Sequence, residues 1–133
     1  MQIVYGFGVK KERDIPTVKW TEGRIRSFIT STLRGGLRRW PPKWECLKEA
    51  KTGKRINEKS GRLAEHYLCA SCKKEYTSKD IQVDHIDPVV CIDKGFISWD
   101  VFIKRLYCPK ENLQVLCKNC HKEKTTKERK KRQ

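Results

Sequence analysis

Two cysteine pairs, Cys69-Ala-Ser-Cys72 and Cys117-Lys-Asn-Cys120, have the spacing at which a tight turn directs two thiolates at one ion. Together they complete a tetrahedral shell for zinc, which takes four sulfur or nitrogen ligands. Four thiolates leave no open position for water or substrate, so such a zinc is expected to be structural. The gap between the pairs exceeds the roughly 15 to 20 residues of a compact zinc ribbon, so something is built into it. Inside the gap stand Asp84 and His85 in VDHIDP and Asn112 in ENLQVLC, and His121 follows Cys120 directly. With the sulfurs filling one shell, His121 is a candidate ligand left over. A neutral imidazole with a pKa near about 6.5 can accept a proton from water. A carboxylate with an imidazole can hold a divalent cation while leaving most of its shell to water and substrate.

Taken in order, DHIDP followed by NLQVLCKNCHKEK resembles the HNH endonuclease family over about residues 69–125. The resemblance implies an α+β fold with a ββα-metal core, in which a strand, a connecting loop, a second strand and a helix surround one divalent cation, Mg²⁺ or Mn²⁺. It implies that His85 is the general base, that Asp84 and His121 bind the cation, and that Asn112 orients the loop holding His85. The implied activity is hydrolysis of DNA phosphodiester bonds, nicking or cutting the duplex and leaving a 5′ phosphate and a 3′ hydroxyl. The upstream RRWPPKW looks, more loosely, like the basic N-terminal part of phage-type members.

On this reading zinc anchors the start of the last helix through Cys117 and Cys120 and aims His121 into the neighbouring site. Lys124 lies one turn further along and could meet a phosphate near the helix N-terminus. Neighbours on a regular strand face opposite ways. Asp84 and His85 must therefore approach a phosphate from two sides, or the strand must bend.

Each residue also has a plainer reading. His121 could cap a helix or sit at the surface, His85 could be a core histidine, and Asn112 could start a turn. Asp87 before Pro88 reads as a turn former, and His66 as packing. Cys46, Cys91 and Cys108 read as small core residues. The rival function is a non-catalytic zinc-bound nucleic-acid-binding module, which accounts for the thiolates and the charge but not for Asp84-His85 and His121.

The elements that must position these groups follow from periodicity. Ile25, Phe28, Ile29, Thr32 and Leu33 recur at helical spacing until Gly35-Gly36. Pro42 is placed to open a second helix and Gly53 to close it, with Trp44, Leu47 and Ala50 facing a core. KRINEKSGR reads as loop, and VYGFGV near the N-terminus as a short strand. IQVDHIDPVV alternates and is rich in branched residues, so it reads as a strand ending at Asp87-Pro88. GFISWDVFIKRLYC sets Phe96, Trp99, Phe102, Ile103 and Leu106 on one helical face. ENLQVLC reads as the second strand, and HKEKTTKERKKR as a polar helix fraying into a basic tail.

Charge sets the partner class. Residues 1–68 carry 16 Lys/Arg against 7 Asp/Glu, residues 69–121 carry 8 against 7, and residues 122–133 carry 7 against 2. Two basic flanks thus enclose a near-neutral middle, which suits a polyanion such as DNA or RNA, with Arg38 and Arg39 beside Trp40 as phosphate contacts. The plainer reading is a basic solvated surface, and the family resemblance implies double-stranded DNA. Residues 1–68 are expected to form a mainly helical extension contacting DNA, residues 69–125 the nuclease core, and residues 126–133 a basic tail. Charged residues at 35% against 37% hydrophobic leave a thin core in need of a metal. Seven cysteines, four of them in spaced pairs, favour metal in a reducing compartment. No run approaches the roughly 20 apolar residues of a membrane span, so a soluble, cytoplasmic protein is expected, and the family resemblance implies a bacterium or phage-infected cell. Oligomeric state stays open: a monomer with one site nicks, and a dimer could cut both strands.

Overall fold

A computed structural model describes residues 19–133, and the chain forms two compact units, Met1–Thr32 and Leu33–Gln133. The strand expected at VYGFGV lies outside the described residues. In the first unit, helix α1 (Glu22–Gly35) begins behind Thr21, whose hydroxyl accepts from the Arg24 amide at 3.2 Å. Its apolar residues Ile25 and Phe28 are exposed. The Trp20 ring meets Phe28 edge-on at 5.5 Å, and the Arg24 guanidinium lies 4.3 Å over Trp20.

The second unit is a small α+β domain. A 3-10 turn (Gly36–Arg39) leads into α2 (Pro41–Glu49), which opens on two prolines because the first helical position has no amide to satisfy. Next come β1 (Lys51–Ile56), β2 (Leu63–Leu68) and β3 (Glu75–Thr77), an antiparallel sheet in the order β1-β2-β3. A second antiparallel pair joins β4 (Ile81–His85) to β5 (Leu113–Cys117), with α3 (Trp99–Leu106) in the connection and α4 (Lys118–Arg132) after it. Register pairs Ile81 with Cys117, Asp84 with Gln114 and His85 with Leu113.

Several expectations are corrected here. The segment read as loop is a hairpin: KRI belongs to β1, and Asn57 closes the turn, its carbonyl accepting from Gly61 at 2.7 Å with Gly61 at φ +73°. The described part of the extension 1–68 holds more helix than strand, but it ends in two strands of a sheet that continues into the first cysteine knuckle. β1 hid because it is exposed on both faces except at Gly53, so no apolar period marks it. Gly53, expected to end a helix, instead sits at a bulge in the β1–β2 ladder. Residues 126–133 are not a separate tail, because α4 runs unbroken to Arg132.

The core is thin and divided. Tyr67, Ile81 and Val115 are packed by Cys46, Leu47 and Ala50 of α2. Trp44 stays 48% exposed, its indole N–H donating to the Arg38 carbonyl at 2.9 Å, so it is not the core residue its spacing suggests. Val89, Phe102 and Leu106 form a second cluster with Leu33, Leu37, Phe96 and Trp99. Ser98 caps α3 by accepting from the Val101 amide at 3.2 Å, and Ile103 faces solvent. Trp40 is a packing residue: its indole donates to the Cys108 carbonyl at 2.8 Å and its ring lies against Tyr107. The third cluster is Cys69, Leu116 and Cys117, where hydrophobic core and cysteine site coincide. Among the described residues, no helix is long and apolar enough to cross a membrane.

Candidate metal centre and carboxylate–imidazole site

The knuckle before β3 and the junction of β5 with α4 bring Cys69, Cys72, Cys117 and Cys120 together, with all four sulfurs within 4.8 Å of one another. A tetrahedron with zinc–sulfur bonds of about 2.3 Å has edges of about 3.8 Å, so the cluster is already near the size the ion needs. The backbone supports charge on the sulfurs, with the Cys117 amide donating to Cys69 Sγ at 3.3 Å and the Cys120 amide to Cys117 Sγ at 3.4 Å. Burial pushes the Cys69 thiol up, but amides of Cys117, Cys72 and Ser71 outweigh it and bring it down to about 6. Cys120 is pushed up to about 12, chiefly by its hydrogen bond with Cys117. The donor set, four clustered thiols on two turns, fits a structural metal such as zinc. The Tyr76 hydroxyl lies 3.4 Å from Cys72 Sγ, lowering that thiol while its own proton is held more tightly.

The first knuckle closes through Lys73, whose amide donates to the Cys69 carbonyl at 3.0 Å while the Cys69 amide donates to the Lys74 carbonyl at 2.9 Å. Lys73 adopts φ +62° to do so, the only positive φ outside glycine among the described residues. A left-handed residue with a Cβ costs roughly 1–2 kcal/mol.

On the other side of this cluster, β4 and α4 bring Asp84 and His121 together, with Asp84 Oδ1 3.5 Å from His121 Nε2. The Asp84 side chain is only 12% exposed, so its charge must be compensated locally. Its other oxygen is engaged: Gln114 donates to Oδ2 at 3.1 Å across the strand pair, and Lys124 Nζ stands 3.0 Å from the same atom. Lys124 also contacts Glu128 at 2.8 Å and donates to the His85 carbonyl at 2.9 Å. Burial works against its ammonium, but Glu128 and Asp84 outweigh that and hold its pKa above the ordinary lysine value. Lys124, expected to meet a phosphate, thus lies in an ion-pair network around the aspartate. Oδ1 is left facing the imidazole of His121. Asp84 and His121 are of the types that could supply two ligands to a divalent cation.

His85 turns away from Asp84 and hydrogen-bonds the Leu106 carbonyl through Nε2 at 2.8 Å, at the end of α3. A carbonyl only accepts, so Nε2 is the donor here, and in the neutral ring Nδ1 is the acceptor. The loop after His85 is tied to Asn112 twice: the Ile86 amide donates to its carbonyl at 2.9 Å and the Asp87 amide to its Oδ1 at 3.1 Å. Arg105 fixes the same loop through the carbonyls of Pro88 and Val89 and through Asp87 Oδ1 at 2.9 Å.

Gln114, Glu128, Arg105 and the Leu106 carbonyl were missed from sequence. Glu128 sits four residues after Lys124, a readable helical pairing, and Gln114 follows once the strand register is known. Carbonyl contacts carry no residue signature. Arg38 and Arg39 are exposed in the turn after α1, with Arg38 Nε donating to the Gly35 carbonyl at 3.3 Å. His66 lies on β2 with Nδ1 bonded to the Ala64 carbonyl. No protein-family model, curated protein or solved structure matches this chain.

Proposed function

We propose that this protein is a metal-dependent endonuclease that hydrolyses phosphodiester bonds in double-stranded DNA. The observation that carries the reading is the meeting of Asp84 Oδ1 and His121 Nε2 at 3.5 Å, with His85 next to Asp84 on β4 and its Nε2 committed to the Leu106 carbonyl. A cation held by Asp84 and His121 would supply positive charge to the phosphate oxygens and to the leaving 3′ oxygen. His85 takes a proton from water at Nδ1 as the water oxygen bonds to phosphorus. The bond from phosphorus to the 3′ oxygen breaks, that oxygen takes a proton from solvent, and a 5′ phosphate and a 3′ hydroxyl result. Asn112 and Arg105 hold the loop that sets where His85 stands. Zinc in the four-cysteine cluster would hold the start of α4, and with it His121. Exposed Arg38 and Arg39 and the basic flanks supply phosphate contacts.

A second reading, a zinc-bound nucleic-acid-binding module without catalysis, is favoured by Lys124, whose ammonium on Asp84 could simply neutralise a buried carboxylate. Supercoiled plasmid incubated with Mg²⁺ or Mn²⁺, with and without EDTA, separates the two. The wild type should nick or linearise it, EDTA should stop this, and His85→Ala should slow it about 10²–10⁴-fold. Equal cleavage by His85→Ala would remove the mechanism, and DNA binding without cleavage in either metal would establish the second reading.

A further inference from the structure

A groove of about 900 Å³ lies between the β1–β2–β3 sheet and the first turn of α4, and Asp84 does not line it. Five basic residues line it, Arg55, Lys59, Lys73, Lys74 and Lys118, against three acidic ones, Glu58, Glu75 and Asp80. Two of the bases are paired, Arg55 with Glu75 and Lys59 with Asp80. Among the described residues, Lys73, Lys74 and Lys118 have no carboxylate partner, so three ammonium groups converge on the groove against the single charge of Glu58. Lys73 projects from the left-handed position in the cysteine knuckle, and Lys74 follows it. Lys118 opens α4, and His121 stands three residues later on the same helix. Three residues of helix rise about 4.5 Å, so Lys118 and His121 lie within about one turn of each other.

We infer that this groove binds the phosphodiester backbone of duplex DNA, holding the strand next to the phosphate at Asp84 and His121. The inference rests on the reading that the protein acts on DNA, and it adds a binding surface which that reading does not require. Unpaired ammonium groups in a concave, partly apolar setting focus potential on a polyanion. Each phosphate neutralised releases condensed counterions and steepens the salt dependence of binding.

The test is the triple variant Lys73→Ala/Lys74→Ala/Lys118→Ala, titrated against a labelled short duplex by fluorescence anisotropy, without added divalent cation, across a salt series. Losing three contacts lowers the slope of log affinity against log salt by about 2.7. Between about 50 and 200 mM salt the variant should therefore lose about 40-fold less affinity than the wild type does. Zinc content and melting midpoint are measured alongside. If the lysines only offset the charge of the thiolate cluster, the variant loses zinc and keeps the wild-type slope, which overturns the inference. Acetylation of the wild-type protein, read by mass spectrometry, needs no variant. Duplex should protect Lys73, Lys74 and Lys118, and inorganic phosphate at equal phosphate concentration should not. Equal labelling with and without duplex, or equal protection by inorganic phosphate, would overturn it as well. A wild type that binds with the expected slope but never cleaves plasmid sinks the nuclease reading and leaves the groove standing. Cleavage together with an unchanged slope in the triple variant sinks the groove alone.

Discussion

Lys124 occupies ground that a divalent cation would share, and replacing it with methionine tests that competition. Its ammonium lies 3.0 Å from Asp84 Oδ2. At that separation the gross attraction is about 1.4 kcal/mol in bulk water and about 5.5 kcal/mol at an effective dielectric of about 20. Burying the ammonium, which is 24% exposed, offsets part of this. Lys124→Met keeps the length and apolar stem of the side chain but leaves a carboxylate only 12% exposed with Gln114 as its one remaining bonded donor. A net loss of about 2 kcal/mol follows, which lowers the melting midpoint by about 8 °C. Saturating Mn²⁺ should then repair the variant more than it helps the wild type, because the ion no longer meets a neighbouring positive charge. Removing about 1.4 kcal/mol of repulsion tightens Mn²⁺ binding about tenfold, and at saturation it adds the same energy, or about 6 °C, to the metal-induced shift. Differential scanning fluorimetry of both proteins with and without Mn²⁺ reads this directly. Equal Mn²⁺ shifts in the two proteins, or a metal-free variant that melts with the wild type, would refute the reasoning.

Three further outcomes are expected. Cys117→Ser should lose bound zinc and the cooperative melt of the second unit, since about 10–16 kcal/mol of apparent metal-binding energy exceeds the usual margin of stability; full zinc content with an unchanged melt would contradict it. Lys73→Gly should raise the midpoint by about 2–4 °C, because glycine relieves the left-handed strain while giving back about half of the gain through its freer unfolded chain. A lower midpoint would show that φ +62° is not strained here. Gly36→Ala should cost about 1–3 kcal/mol, since its Cβ would press into the Tyr107 ring, with Cζ at 3.3 Å, and displace the hydroxyl that donates to the Leu33 carbonyl. The double change Gly36→Ala/Tyr107→Phe should recover part of that loss by thermal melt, and no recovery would argue against the clash.

Local chemistry was legible in the chain itself. The two cysteine pairs announce a four-sulfur cluster because a two-residue spacing is itself a chelating geometry, needing no distant partner to be understood. The alternation of IQVDH and the branched run of LQVLC mark β4 and β5, since one face of each must be buried. The apolar spacing of α3 likewise shows in its buried Phe102 and Leu106. The order of Asp84, His85, Asn112 and His121 suggests which residues to watch.

Only the tertiary structure decides how those residues meet. β1 pairs with β2 although its own residues alternate in nothing, because edge strands exposed on both faces are chosen by their neighbour and not by burial. Lys124 meets Asp84 rather than solvent because α4 lies over β4, and His85 takes its tautomer from a main-chain oxygen at the end of α3. Every residue carries the same carbonyl, so no pattern of side chains could foretell which one would be reached. The charge of Lys73, Lys74 and Lys118 is plain in the sequence, but its convergence is not. That depends on a knuckle, a hairpin and a helix start folding around one set of sulfurs.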